Sequence, residues 1–164
     1  MGDLSEVIIP KIKLNNGIDM PRIGLGTFHS SEPNNDQMES AIIDAIQVGY
    51  RHFDCADFYQ NELGIGKGIK KAIDDGMVKR EDLFVTSKVW MTFTRPDRVE
   101  KSLRRSLKAL NVQYVDLFFM HWPMSLKQND EDYIPIGEDG LVDIDTQIDY
   151  VDTWKAIEEC YQKG

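Results

Sequence analysis

The sequence predicts an α/β fold in which a parallel sheet is covered by helices. Short segments that are apolar at nearly every residue alternate with segments whose apolar residues recur at helical spacing. This strand-and-helix unit repeats four times at intervals of about 30 residues, the length of a strand, a crossover helix and their loops. A doubly wound open sheet and a (β/α)8 barrel both fit that rhythm, and periodicity does not choose between them.

Taken in order, IPKIKL, NNG and IDM read as a small hairpin whose turn is supplied by Asn16-Gly17. RIGLGTF is a short first strand, with no room expected for a long side chain at Gly26. Met38, Ala41, Ile42, Ala45 and Ile46 form one face of the first helix. Asn34, Asn35 and Asp36 are its candidate caps, and Gly49 is placed to end it. YRHFDCA is the second strand, followed by a helix from Glu62 to about Asp75 carrying Ile65, Ile69, Ala72 and Ile73, closed by Gly76. LFVTSKVW is the third strand. The helix after it has Pro96 near its first turn and Val99, Leu103, Leu107 and Leu110 facing inward. VDLFFMHW is the fourth strand, and the last helix offers Val151, Trp154, Ile157 and Tyr161 on one face.

Residues 1–164 read as a single domain with no internal boundary. The one long irregular stretch, 123–149, is acidic and reads as either a lid or a disordered segment; its place after the C-terminal end of a strand favours the lid. The net charge of −9 argues against nucleic acid or an anionic membrane as partner. No apolar run is long enough for a membrane span. The opening MGDLSEVIIPK lacks the pattern of a secretory signal or of myristoylation. Cys55 and Cys160 lack metal-ligand spacing and read as reduced thiols in a cytoplasmic protein. His29, His52 and His121 likewise show no metal spacing, and no metal is expected. GIGKGIKK imitates a phosphate loop only superficially, because Gly68 stands where Ser or Thr is required; it reads as a helix weakened by its glycines. RRSLK, from Arg104 to Lys108, reads as a solvated helix face.

Polar residues close the strands in a regular way. Asp54, Lys88 and His121 end three consecutive strands, separated by 34 and 33 residues. In parallel α/β folds these strand ends share one face, where ligands bind. Tyr59 lies a few residues past its strand, within reach of the same pocket. Singly, each has a plain alternative: a helix cap, a solvated lysine, a packed phenol, a core imidazole. Together they suit proton donation to a carbonyl oxygen. A free phenol, with a pKa near ~10, is a poor acid at neutral pH, and a lysine cation held by a carboxylate corrects this. An imidazole beside it orients the carbonyl.

MPRIGLGTF, GYRHFDCADFYQNE, VKREDLF, TSKVW, SLKALNVQYVDLFFMHWP and DTWKAIEE, in that order, resemble the N-terminal half of an aldo-keto reductase of the aldose and aldehyde reductase type. The resemblance implies a (β/α)8 barrel, of which the first four βα units and a basal hairpin are present. It implies a catalytic set of Asp54, Tyr59, Lys88 and His121, with Tyr59 as general acid, and a hydride from NADPH. Gly26, Thr27, Phe28 and Asp54 match positions near the cofactor. Phe28, Phe58, Trp90, His121 and Trp122 match the substrate pocket, where many members have Trp or Tyr in place of Phe28. The carbonyl substrate is a small molecule.

Because family members run to roughly twice this length, the chain is expected to bind NADPH weakly and to self-associate through open strand edges. The alternative function is a catalytically incompetent form with a binding or structural role, as in lens proteins or channel-associated subunits of the family, or a half-barrel that needs a partner.

Overall fold

The structure, a computed structural model, describes residues 9–29 and 34–164. The reading of a signal-free start falls largely on residues 1–8, outside the described residues. Strands β1 (Lys11–Lys13) and β2 (Asp19–Pro21) form an antiparallel hairpin that pairs Ile12 with Met20. Its turn is closed by Leu14 N donating to the Ile18 carbonyl at 2.8 Å, with Gly17 at φ +84°.

The main sheet contains β3 (Leu25–Gly26), β4 (His52–Asp54), β5 (Phe84–Val89) and β6 (Leu117–Met120), parallel and in that spatial order. Helices α1 (Asn35–Gln47), α2 (Glu62–Asp74), α3 (Pro96–Leu110) and α4 (Tyr150–Gln162) follow the strands in turn. The strand order never reverses, so the sheet has no topological switch point and advances as a barrel wall does. Among the described residues, no helix is long and apolar enough to cross a membrane.

Side chains alternate across each strand. Phe53, Cys55 and Val85 pack under the helices with Ile42, Ile46, Ile65, Ile69 and Leu110. Val89 joins a second core with Phe93, Val99, Ala156 and Ile157. Asp54 and Lys88, one residue out of phase with these, therefore face the other side of the sheet. That is how an almost wholly apolar set of strands presents charge on one face alone.

The helices confirm the expected elements but revise some of their faces. Asn34 caps α1, its side-chain oxygen accepting from Asp36 N and Gln37 N at 3.1 and 3.0 Å. Ile42, Ala45 and Ile46 are buried, whereas Ala41 is exposed, one residue round the helix from Ile42. On α3 the buried stripe is Val99, Ser102, Ser106 and Leu110, and Leu103 and Leu107 flank it half-buried. The small serines occupy the centre because Ser106 meets Ser87 of β5 at 3.1 Å.

On α4 only Ile157 of the expected face is buried. Val151, Trp154 and Tyr161 are exposed, and Thr153 and Ala156 take their place. The rotation of α4 is fixed by the Thr153 hydroxyl, which donates to the Thr94 carbonyl at 2.6 Å.

The glycines of α2 are close-approach points rather than weaknesses. A Cβ on Gly64 would lie 2.4 Å from the Asn35 carbonyl oxygen, and one on Gly66 would lie 2.5 Å from the Leu110 backbone. Gly68 abuts Ile42 in the same way. Backbone meets backbone there, so α2 nests between α1 and α3. The opposite holds at Gly26, where the expected crowding is absent: no atom lies within 4 Å of a Cβ.

Gly66→Ala is therefore expected to cost about 3 kcal/mol despite Ala's better helix propensity. Urea unfolding would read this directly, with Gly26→Ala as the near-neutral control. Equal midpoints for the two variants would contradict the close-packing account.

The loop 123–149 is ordered on the sheet's C-terminal side by antiparallel bridges, Leu126 with Ile144 and Ile136 with Val142. Part of its acidic charge is met by α3, where Arg98 and Lys101 pair with Asp130. The basic run on α3 is also not wholly solvated. Arg105 turns inward, only 31% exposed, toward Asp57.

Candidate active site

Strand register brings the polar groups together. Gly26 pairs with Asp54 and Asp54 with Thr86, so Lys88 stands two residues further along the neighbouring strand. Its side chain reaches back. Lys88 Nζ donates to Asp54 Oδ1 at 2.7 Å, to the Cys55 carbonyl at 2.9 Å and to the Tyr59 hydroxyl oxygen at 3.2 Å. The three bonds use all the donors of the ammonium and aim it. The Asp54 carboxylate is 41% exposed and the Lys88 side chain 7%, so the pair joins a buried cation to a half-open anion.

Tyr59 ends a 3-10 turn, Asp57–Tyr59, which the chain leaves through Gln60 in the left-handed region at φ 54°. The Lys88 ammonium also lies 4.8 Å from the centre of the Tyr59 ring. His121 follows β6 directly and is anchored by its backbone N–H on the Val89 carbonyl at 3.1 Å. Its imidazole stands edge-on to Tyr59 at 5.5 Å and to Trp90 at 5.1 Å. Burial, and then the Lys88 cation, pull its pKa down to about 4. It is neutral at physiological pH, a donor carrying one N–H and no charge.

Around this centre Phe58 stacks on Trp90 at 3.8 Å with planes 10° apart. Trp90 is buried and its indole N–H donates to the Tyr133 carbonyl at 2.6 Å. Phe28 is 60% exposed and stands edge-on to Tyr59 at 5.2 Å. Trp122 is 53% exposed and, among the described residues, shares none of these ring contacts. Thr27 is buried, and its hydroxyl is spent on the Asp54 carbonyl at 2.9 Å.

Sequence reasoning passed over Asn61 and Glu62. Asn61 is buried and donates to the Thr27 carbonyl at 2.7 Å, tying the β3 exit to the start of α2. Glu62 is buried beneath β5 and accepts from Ser87, the residue before Lys88, at 2.7 Å. The signal for both lay in FDCADFYQNE itself, where two polar residues, one just before α2 and one at its first position, are both buried.

A model of the aldo/keto reductase family matches residues 22–164. The chain belongs to that family. It is 48% identical over 157 residues to aldo-keto reductase family 1 member C18 of Rattus norvegicus, covering 95% of this chain and 48% of the relative. It is 45% identical over 161 residues to an NAD(P)H-dependent D-xylose reductase of Scheffersomyces stipitis, covering 95% and 49%. Among solved structures, the aldose reductase from Schistosoma japonicum superposes with a TM-score of 0.86 at 41% identity, over 94% of this chain and 50% of that one. The chain thus spans about half the length of the family relatives it matches. The barrel reading of the strand order agrees with membership of this family.

Proposed function

We propose that the chain carries the proton-handling part of an NADPH-dependent reductase of aldehydes and ketones. The observation that carries this reading is the bond set at Lys88, which joins Asp54 and Tyr59 through one ammonium.

Tyr59 is the general acid. Giving its proton to a carbonyl oxygen leaves a phenolate, and the ammonium 3.2 Å away is placed to stabilise that charge. Asp54 fixes the ammonium and balances it, so the resting pair is close to neutral. His121, neutral at working pH, offers its N–H to the carbonyl oxygen without competing as an acid. The Phe58–Trp90 stack and the Phe28 ring give the carbonyl's substituent an apolar wall.

The rim has room for a flat cofactor ring. Space beside Gly26 is open, Phe28 is exposed, and the Asp54 carboxylate is half open. Gly26, Phe28 and Asp54 would hold the nicotinamide end, while Thr27 shapes the rim from below. A nicotinamide bound there supplies a hydride. Among the described residues, Lys88 and the neighbouring Arg105 are each committed to a carboxylate rather than left for a cofactor phosphate, which fits weak binding of NADPH by this chain. A cytoplasmic setting fits the two free thiols, Cys55 and Cys160.

The test is NADPH-dependent reduction of benzaldehyde at saturating NADPH, run beside Tyr59→Phe. Turnover that depends on Tyr59 supports the reading. No turnover from either protein would support the binding or structural role instead.

We also infer that the chain self-associates. Among the described residues, strand β6 is hydrogen-bonded to a strand on one side only; it is half-buried along its length, and Val151, Trp154 and Tyr161 are exposed on α4 nearby in the fold. Sedimentation velocity is expected to show a concentration-dependent dimer or larger species. A compact monomer across the accessible range would rule this out.

A further inference from the structure

A buried ion pair lies beside the aromatic wall, outside the four residues above. Asp57 opens the 3-10 turn that carries Phe58 and Tyr59, and its side chain is 12% exposed. Its Oδ1 accepts from the Tyr133 hydroxyl at 3.3 Å and from Arg105 Nη2 at 3.5 Å. Arg105 Nη1 donates to the Asp130 carbonyl at 2.6 Å, and Nη2 also donates to the Tyr133 oxygen at 3.3 Å.

Tyr133 belongs to the loop, yet it touches both members of the stack. Its carbonyl takes the Trp90 indole N–H, and its ring meets Phe58 edge-on at 5.8 Å and Trp90 at 6.5 Å. Burial, and then the Asp57 charge, push its phenol up to about 12, so it stays a donor. Asp57 cannot release Arg105 without leaving a buried carboxylate unpaired. The other ties of this segment, Arg98 and Lys101 with Asp130, end on a carboxylate that is 48% exposed, where ion pairs hold weakly.

We propose that Asp57 and Arg105 are positioning residues: by clamping Tyr133 they hold residues 129–134 as the outer buttress of the Phe58–Trp90 stack, and so set which aldehydes the pocket admits. The substrate half of this proposal rests on the carbonyl-reductase reading. The clamp itself does not.

The full chain is compared with Asp57→Asn, Tyr133→Phe and the double variant, all of which keep side-chain shape, with thermal melting as the folding control. One readout is hydrogen exchange of the 129–134 amides and of the Trp90 indole N–H. The other is KM and kcat for benzaldehyde and for the bulkier 2-naphthaldehyde. Each single variant is expected to speed exchange of the segment about tenfold. The double variant should do no more than Asp57→Asn alone, because that variant already loses the contact with Asp57 that Tyr133→Phe removes. The ratio of the two KM values shifts by roughly severalfold, while kcat for benzaldehyde stays within about twofold, as for lost uniform binding.

Unchanged exchange in both single variants overturns the clamp, whatever the activity. Faster exchange with an unchanged KM ratio overturns the role in substrate selection. If the chain reduces neither aldehyde, the carbonyl-reductase reading fails separately, and exchange alone decides the clamp.

Discussion

Replacing Tyr59 with Phe is expected to lower kcat for carbonyl reduction by about 10²- to 10⁴-fold, the usual worth of a positioned general acid. The substitution removes one oxygen and nothing else. The ring keeps its edge contacts with Phe28 at 5.2 Å and His121 at 5.5 Å, so melting temperature and apparent cofactor affinity should barely move. Lys88 keeps Asp54 and the Cys55 carbonyl as partners, so the variant leaves no unpaired charge. Steady-state NADPH oxidation with benzaldehyde gives the number. Retention of more than about a tenth of the wild-type rate would mean that another group donates the proton.

The second large effect concerns stability and pH. Burial raises the Glu62 carboxyl from 4.5 to about 7, against the bonds from Ser87 and Ser106 that favour its charged form. Its second oxygen has no hydrogen-bond partner among the described residues. Between the two values the folded chain holds a proton that the unfolded chain has lost, so the contribution to stability falls as pH rises. It is complete below about pH 4.5, declines up to about pH 7, and by then has fallen by about 3 kcal/mol.

Glu62→Gln is expected to flatten that decline, at the cost of a lower plateau, since an unpaired amide N–H then lies where the free oxygen was. Urea midpoints taken at about pH 5 and about pH 8 provide the comparison. A wild-type profile as flat as that of the variant would refute a buried, proton-binding Glu62.

The element order was legible in the sequence, because each strand and helix announces itself over a few neighbouring residues. The meeting of Asp54, Lys88 and His121 was legible for a related reason. Parallel strands of similar length return to the same face, so a regular spacing in the chain becomes proximity in space. Helix faces were harder. On α4, hydrophobicity favoured Trp154 and Tyr161, yet a single hydroxyl bond from Thr153 to Thr94 sets the rotation, 59 residues away in the chain. On α2, the glycines looked like poor helix formers, because nothing local says that Asn35 and Leu110 will press against them.

The Asp57–Tyr133 contact spans 76 residues and was hidden for the same reason. The basic run from Arg104 to Lys108 reads as a solvated helix face until the fold sets Asp57 opposite Arg105.

The register that gathers Asp54, Tyr59, Lys88 and His121 has a consequence for inheritance. All four sit on neighbouring strands or their exits between positions 54 and 121, and Tyr133 comes later in the chain. A recombination crossover downstream of His121 would hand the whole proposed proton-transfer set to a new partner sequence as one block. One falling between His121 and Tyr133 would hand over the chemistry while exchanging its buttress. Lineages built that way would share a reaction and diverge in what they accept.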